Sequence, residues 1–138
     1  MHERVTFATD PASGLRTIIA LASTIRGPAF GGCRYWTYSS DLDALVDALR
    51  LSQGMAYKNA LADLPFGGGK AVILRDGEPR DRAQLFEAFG RVVHSLDGQY
   101  ITAEDVGTTV DDMRAAQTAT AYISGHRATA ASAAIRRQ

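Results

Sequence analysis

The chain opens on strand-like runs and shifts to a helical spacing from about Asp41. From Arg4 to Thr9, alternation around Val5 and Phe7 predicts a short strand. Asp10-Pro11-Ala12-Ser13-Gly14 is a turn cluster. Leu15 to Ile25 is rich in β-branched residues and predicts a buried strand, ended by Gly27-Pro28. Cys33 to Tyr38 is a third strand-like run. Gly31-Gly32 leads into it, and paired glycines there let backbone or ligand approach closely. Ser40, with Asp43 three residues on, predicts a capped helix from about Asp41. Leu42, Leu45, Val46, Leu49, Gln53, Ala56 and Ala60 share one stripe of it. Lys58 falls roughly 160° from Leu42 at about 100° per residue. Leu51, Gly54 and Met55 lie on its side, so Lys58 is expected to project from a largely buried face. It is either a lysine snorkelling from a buried helix end or a ligand-binding cation. Gly54 on the same face suggests that something packs or binds there.

The second half repeats a helix–strand alternation. Asp63 to Gly69 predicts a loop, and Lys70 opens the strand Ala71-Val72-Ile73-Leu74. Asp81, with Gln84 three later, caps a helix on which Leu85, Phe86, Phe89, Val92, Val93 and Leu96 recur amphipathically. Asp97-Gly98 turns the chain into the strand Gln99 to Thr102, and Ala103 to Thr108 is the loop at its carboxyl end. Thr109 with Asp112 caps a helix to about Thr118, and Ala121 to Ser124 predicts a last short strand. The expected class is α/β: a three-layer domain whose largely parallel, mixed sheet is flanked by helices. Ligands in such sheets bind beyond the strand carboxyl ends, where Asp105 sits. Residues 1–125 form the expected domain. Residues 126–138 are an Ala/Thr-rich tail with little to bury, expected to fray or to form a loose helix.

Composition narrows the function classes. A formal net charge of zero gives no electrostatic footprint for nucleic acid or an anionic membrane. No apolar run is long enough to span a bilayer, and no apolar segment follows the charged N-terminus as a leader would. The one cysteine, Cys33, rules out an intrachain disulfide and fits a reducing cytoplasm. His2, His94 and His126 have no metal-ligand spacing. There is no internal repeat.

Charge usage changes the picture. Of 15 basic residues only Lys58 and Lys70 are lysines. Lysine is the cation whose pKa shifts readily when desolvated, whereas arginine stays protonated. Phe66-Gly67-Gly68-Gly69-Lys70 suggests a phosphate loop, but Leu64 and Ala71 stand where that motif needs Gly and Ser/Thr. No G-x-G-x-x-G dinucleotide turn occurs either. A different chemistry fits better. Three glycines let backbone crowd the Lys70 ammonium, and desolvation would tune it for acid/base work. Asp105 would exchange protons with a reacting centre, and a charged Lys58 would hold a substrate carboxylate. These are tools for a reaction at the α-carbon of an amino or oxo acid.

Four ordered segments carry a resemblance: Gly31-Gly32-Cys33-Arg34-Tyr35-Trp36, Arg50 to Ala60, Gly67-Gly68-Gly69-Lys70 and Thr102 to Thr109. Together they resemble the glutamate/leucine/phenylalanine/valine dehydrogenase family, nearest its leucine and phenylalanine branch, over about residues 4 to 125. The resemblance implies reversible NAD- or NADP-dependent oxidative deamination of an L-amino acid to a 2-oxo acid and ammonia. It implies that Lys70 activates water, Asp105 is its acid/base partner and Lys58 binds the substrate α-carboxylate. Gly31 and Gly32 would line the site. Phe30 stands where glutamate-specific members carry a lysine for the side-chain carboxylate, and Ala103 would line the same pocket. An apolar substrate such as Leu, Val or Phe is therefore expected.

The resemblance stops near Gly125, before the Rossmann domain that carries the nucleotide in the family. The expected unit is the N-terminal, substrate-binding and oligomer-forming domain, cytoplasmic and homo-oligomeric. Two classes stay open. One is part of a dehydrogenase, inactive alone and completed by a separate Rossmann-domain chain if the enzyme is split. The other is a non-catalytic module for oligomerisation or 2-oxo-acid binding.

Overall fold

Three helix starts are fixed by side chains at the spacing caps require. In the computed structural model, which describes residues 1–124, Ser40 accepts from the Asp43 N–H at the start of α1 (Asp41–Leu61). Asp81 accepts from the Gln84 N–H ahead of α2 (Arg82–Ser95). Thr109 and Asp112 form a reciprocal capping box on α3 (Val110–Gln117). Each cap satisfies N–H groups that the helix cannot, worth about 1 kcal/mol apiece. The tail at 126–138 lies outside the described residues.

Six strands make one mixed sheet: β1 (Arg4–Asp10), β2 (Leu15–Ser23), β3 (Ala29–Phe30), β4 (Cys33–Trp36), β5 (Gly67–Leu74) and β6 (Tyr100–Ile101). Their order is β1-β2-β5-β3-β6, with β4 also beside β5. The β1–β2 and β2–β5 ladders are antiparallel, and β3 and β4 run parallel to β5. β3 and β4 share one register along β5, pairing Phe30 with Gly68 and Cys33 with Ala71. Gly31-Gly32 interrupts them beside Gly69-Lys70. This places the glycine pair at the break in the sheet.

The two faces bury different side chains. On one, Leu85, Phe86, Phe89 and Val93 of α2 and Met113 of α3 close over Ile19, Ala71, Ile73 and Tyr100. The amphipathic pattern of α2 therefore points as expected. On the other, Ala44 and Ala48 of α1 meet Ile18, Ala20 and Val72.

Here the sequence expectation is corrected. Leu42 is 65% and Val46 53% exposed, while the fully buried positions of α1 are Ala44, Ala48, Ser52 and Asn59. The reason is close approach. A Cβ on Gly68 would lie 2.2 Å from the Ala56 backbone nitrogen. A helix this near the sheet must present small residues, so the larger side chains rotate to its flanks. Leu45 and Leu49 still pack on the core edge. Lys58 is exposed rather than on a buried face, and a Cβ on Gly54 would meet nothing within 4 Å.

Three further boundaries differ. The glycine run begins β5 and is not a loop, so Lys70 is the fourth residue of that strand. Strand β3 is too short to leave a pattern. The expected strand at Ala121 to Ser124 reduces to one bridge, Thr102 with Ile123.

Candidate active site

Alternation along β5 fixes where Lys70 points. Gly68 faces Ala56 of α1, so Lys70, two residues on, lies on the same side of the sheet. Its cross-strand partner Ala20 packs with α1 residues Ala44 and Ala48. Lys70 is 6% exposed and its Nζ donates to Asp105 Oδ2.

Asp105 reaches Lys70 from the turn after β6. Its other oxygen, Oδ1, accepts from the Val106 N–H at 2.8 Å. Partial burial alone would push the Asp105 carboxyl up. The Lys70 hydrogen bond and charge, the Val106 N–H and the Arg34 charge outweigh that and hold it below the usual carboxylate range. Asp105 is therefore an ionised acceptor at neutral pH.

The glycines make this approach possible. A Cβ on Gly32 would lie 2.8 Å from Asp105 Cβ, and one on Gly31 would lie 1.6 Å from Gly69 O. Any larger residue at either place would move the carboxylate or split the strands. Tyr100, fully buried, donates from its hydroxyl to Gly31 O at 2.7 Å and fixes that peptide. Asn59, also buried, donates to Gly67 O at 2.8 Å and ties the end of α1 to the start of β5. Neither Tyr100 nor Asn59 was expected as a site residue. The available signal for Asn59 was its place beside Lys58 in the Arg50 to Ala60 segment.

The remaining expected residues surround the pair. Ala103 accepts from the Cys33 N–H at 2.8 Å through its backbone oxygen. Phe30 packs its ring on Phe66 at 5.4 Å between centroids and sits opposite Gly68 in register. Lys58 lies one helical turn beyond Met55, whose Cγ would be 3.3 Å from a Cβ at Gly31. The Lys58 ammonium has no ion-pair partner among the described residues. Lys70, Asp105, Gly31 and Gly32 thus meet directly. Lys58 flanks them from the surface, and Phe30 and Ala103 border them on β3 and after β6. Burial pushes the Cys33 thiol well up, so it stays a protonated core residue.

Residues 2–122 match the family described as Glu/Leu/Phe/Val dehydrogenase, dimerisation domain. The chain belongs to this family. It is 51% identical over 124 residues to a leucine dehydrogenase of Bacillus subtilis (strain 168), covering 90% of this chain and 34% of that protein. A phenylalanine dehydrogenase of Lysinibacillus sphaericus is 52% identical over the same share of this chain, with 32% of its own length covered. Among solved structures, the L-tryptophan dehydrogenase of Nostoc punctiforme superposes with a TM-score of 0.84 at 45% identity. That match covers 88% of this chain and 36% of that one. The chain thus spans about a third of the relatives it matches, the third that holds their N-terminal domain.

The dehydrogenase family implies a nicotinamide cofactor. The sequence holds no G-x-G-x-x-G turn of the kind that cradles a dinucleotide pyrophosphate. Among the described residues no cluster of His, Cys, Asp and Glu could hold a metal ion. No helix among them is long and apolar enough to cross a membrane.

Proposed function

We propose that this chain is the substrate-binding half of an amino-acid dehydrogenase acting on an apolar L-amino acid such as Leu, Val or Phe. The observation that carries the proposal is the buried Lys70–Asp105 ion pair at the Gly31-Gly32 break. Asp105, ionised beside Lys70, accepts a proton from the substrate ammonium and returns one to the departing ammonia. Lys70 hydrogen-bonds the water that attacks the imine carbon. Lys58, exposed on α1, takes the α-carboxylate. Phe30 and Ala103 meet the substrate side chain and offer it no cation. NAD or NADP, the hydride acceptor in this reaction, would be held by residues outside this chain, on a Rossmann domain in a longer polypeptide or a separate one.

A non-catalytic 2-oxo-acid-binding module is the second reading. It has no need of a carboxylate salt-bridged to a buried lysine, so the pair favours the enzyme. We place the protein in the cytoplasm, where the free Cys33 thiol is stable, and expect a homo-oligomer.

The test is substrate selectivity. Calorimetric titration of the chain with 4-methyl-2-oxopentanoate, phenylpyruvate and 2-oxoglutarate should show an apolar oxo acid bound at least about tenfold more tightly than 2-oxoglutarate. Preference for 2-oxoglutarate would overturn the assignment of Phe30 and Ala103.

A further inference from the structure

One side chain of the Thr102 to Thr109 segment has no role in the chemistry above, yet it joins that segment to the sheet. Thr108 Oγ1 accepts from the Asp105 N–H at 2.7 Å. Its own hydroxyl proton is within reach of two acceptors, Cys33 O and Asp105 O, each at 3.0 Å. Cys33 belongs to β4, 75 positions earlier in the chain. The hydroxyl therefore lies between the backbone of Asp105 and the strand beside Lys70.

The rest of the turn shows why a peg is needed there. Gly107 has φ +84°, and a Cβ on it would lie 2.0 Å from Tyr35 O, so the turn presses on β4. The Tyr35 N–H donates to Val106 O at 2.9 Å and the Cys33 N–H to Ala103 O at 2.8 Å. These backbone bonds hold residues 103 and 106. At Asp105 the Thr108 N–H reaches the carbonyl at 3.2 Å, and the Asp105 N–H is held by the Thr108 hydroxyl.

We propose that Thr108 is a positioning residue: its hydroxyl locks the Asp105 peptide against β4 and so keeps the Asp105 carboxylate on Lys70. The catalytic meaning of that carboxylate rests on the function proposed above; the positioning does not.

The groups facing Asp105 are Lys70 from β5 and Arg34 from β4, both cationic, with the buried Cys33 and Tyr100 nearby, both pushed up and neutral. Once the peg is lost, Asp105 drifts from Lys70 and its carboxyl moves back toward the ordinary range.

The experiment is a carbon-detected NMR titration of the Asp105 carboxyl in the 138-residue chain. Thr108→Val removes the hydroxyl and keeps the shape, and Thr108→Ser keeps the hydroxyl. The expected result is an upward shift of the Asp105 titration in Thr108→Val and the wild-type curve in Thr108→Ser. A folded Thr108→Val variant with an unmoved Asp105 curve overturns the proposal. Should Thr108→Val not fold, hydrogen exchange of the wild-type Asp105 amide decides. Protection supports the peg, and exchange at open-loop rates overturns it. No substrate enters either measurement, so a chain that binds no oxo acid defeats the proposed function and leaves this inference standing.

Discussion

Asp105 and Lys70 stand 35 positions apart in sequence and meet in a site that leaves Lys70 almost no water. Removing the carboxylate charge strands a buried ammonium. Asp105→Asn should therefore lower stability by about 1–3 kcal/mol, read by urea unfolding at neutral pH. The pH dependence has a definite sign. The Asp105 carboxyl lies lower in the folded chain than in the unfolded one, so its contribution is present above the ordinary carboxylate range. It is lost as the pH falls through the folded value. Asp105→Asn should flatten that part of the acid limb, and an acid limb identical to wild type would contradict the pairing. At this scale both members of the pair were named as candidates from the sequence, Lys70 because it is one of two lysines in an arginine-rich chain and follows three glycines. The geometry of the pair was not legible, because it depends on the register of β4 beside β5. Thr108 went unassigned for the same reason; its acceptor Cys33 becomes a neighbour only when the sheet forms.

The helix caps at Ser40, Asp81 and Thr109 were readable because a cap is a local event spanning three residues. The face of α2 was readable because large apolar residues fill its contact with the sheet. α1 misled for the opposite reason. Its contact is so close that small residues one every four positions face the sheet: Ala44, Ala48 and Ser52 are buried, and half-buried Ala56 abuts Gly68. Leucines at neighbouring positions were the stronger signal and the wrong one. Two glycine substitutions separate tight from open sites. Gly68→Ala forces a Cβ against the Ala56 backbone and should cost about 1–3 kcal/mol. Gly54→Ala, in the exposed interior of α1 with nothing within 4 Å, should gain about 0.5–1 kcal/mol. Denaturant midpoints check both, and equal effects at the two positions would contradict the close packing of α1 on β5.

On the scale of the whole molecule, one flank of the domain exposes Phe7, Leu42 and Val46. Among the described residues β1 pairs only with β2, along one edge. Phe7 on that strand is 62% exposed and lines a groove with Ile18 and Leu74 that reaches Asp41 at the start of α1. The exposed Leu42 and Val46 follow on the same helix. Together with the family's dimerisation-domain description, this flank supports self-association. Sedimentation should show a species heavier than the monomer, shifted toward monomer by Val46→Glu. A monomer at every concentration would contradict the expected homo-oligomer. Self-association, however, does not bear on the chemistry. The proposed substrate half-site does, and Lys58 is an exposed member of it. Calorimetric titration of 4-methyl-2-oxopentanoate into the chain and into Lys58→Ala tests it most directly. A half-site built around a carboxylate anchor predicts binding that weakens by about 10- to 100-fold in the variant. Equal affinity in the two proteins, or no binding in either, would contradict it.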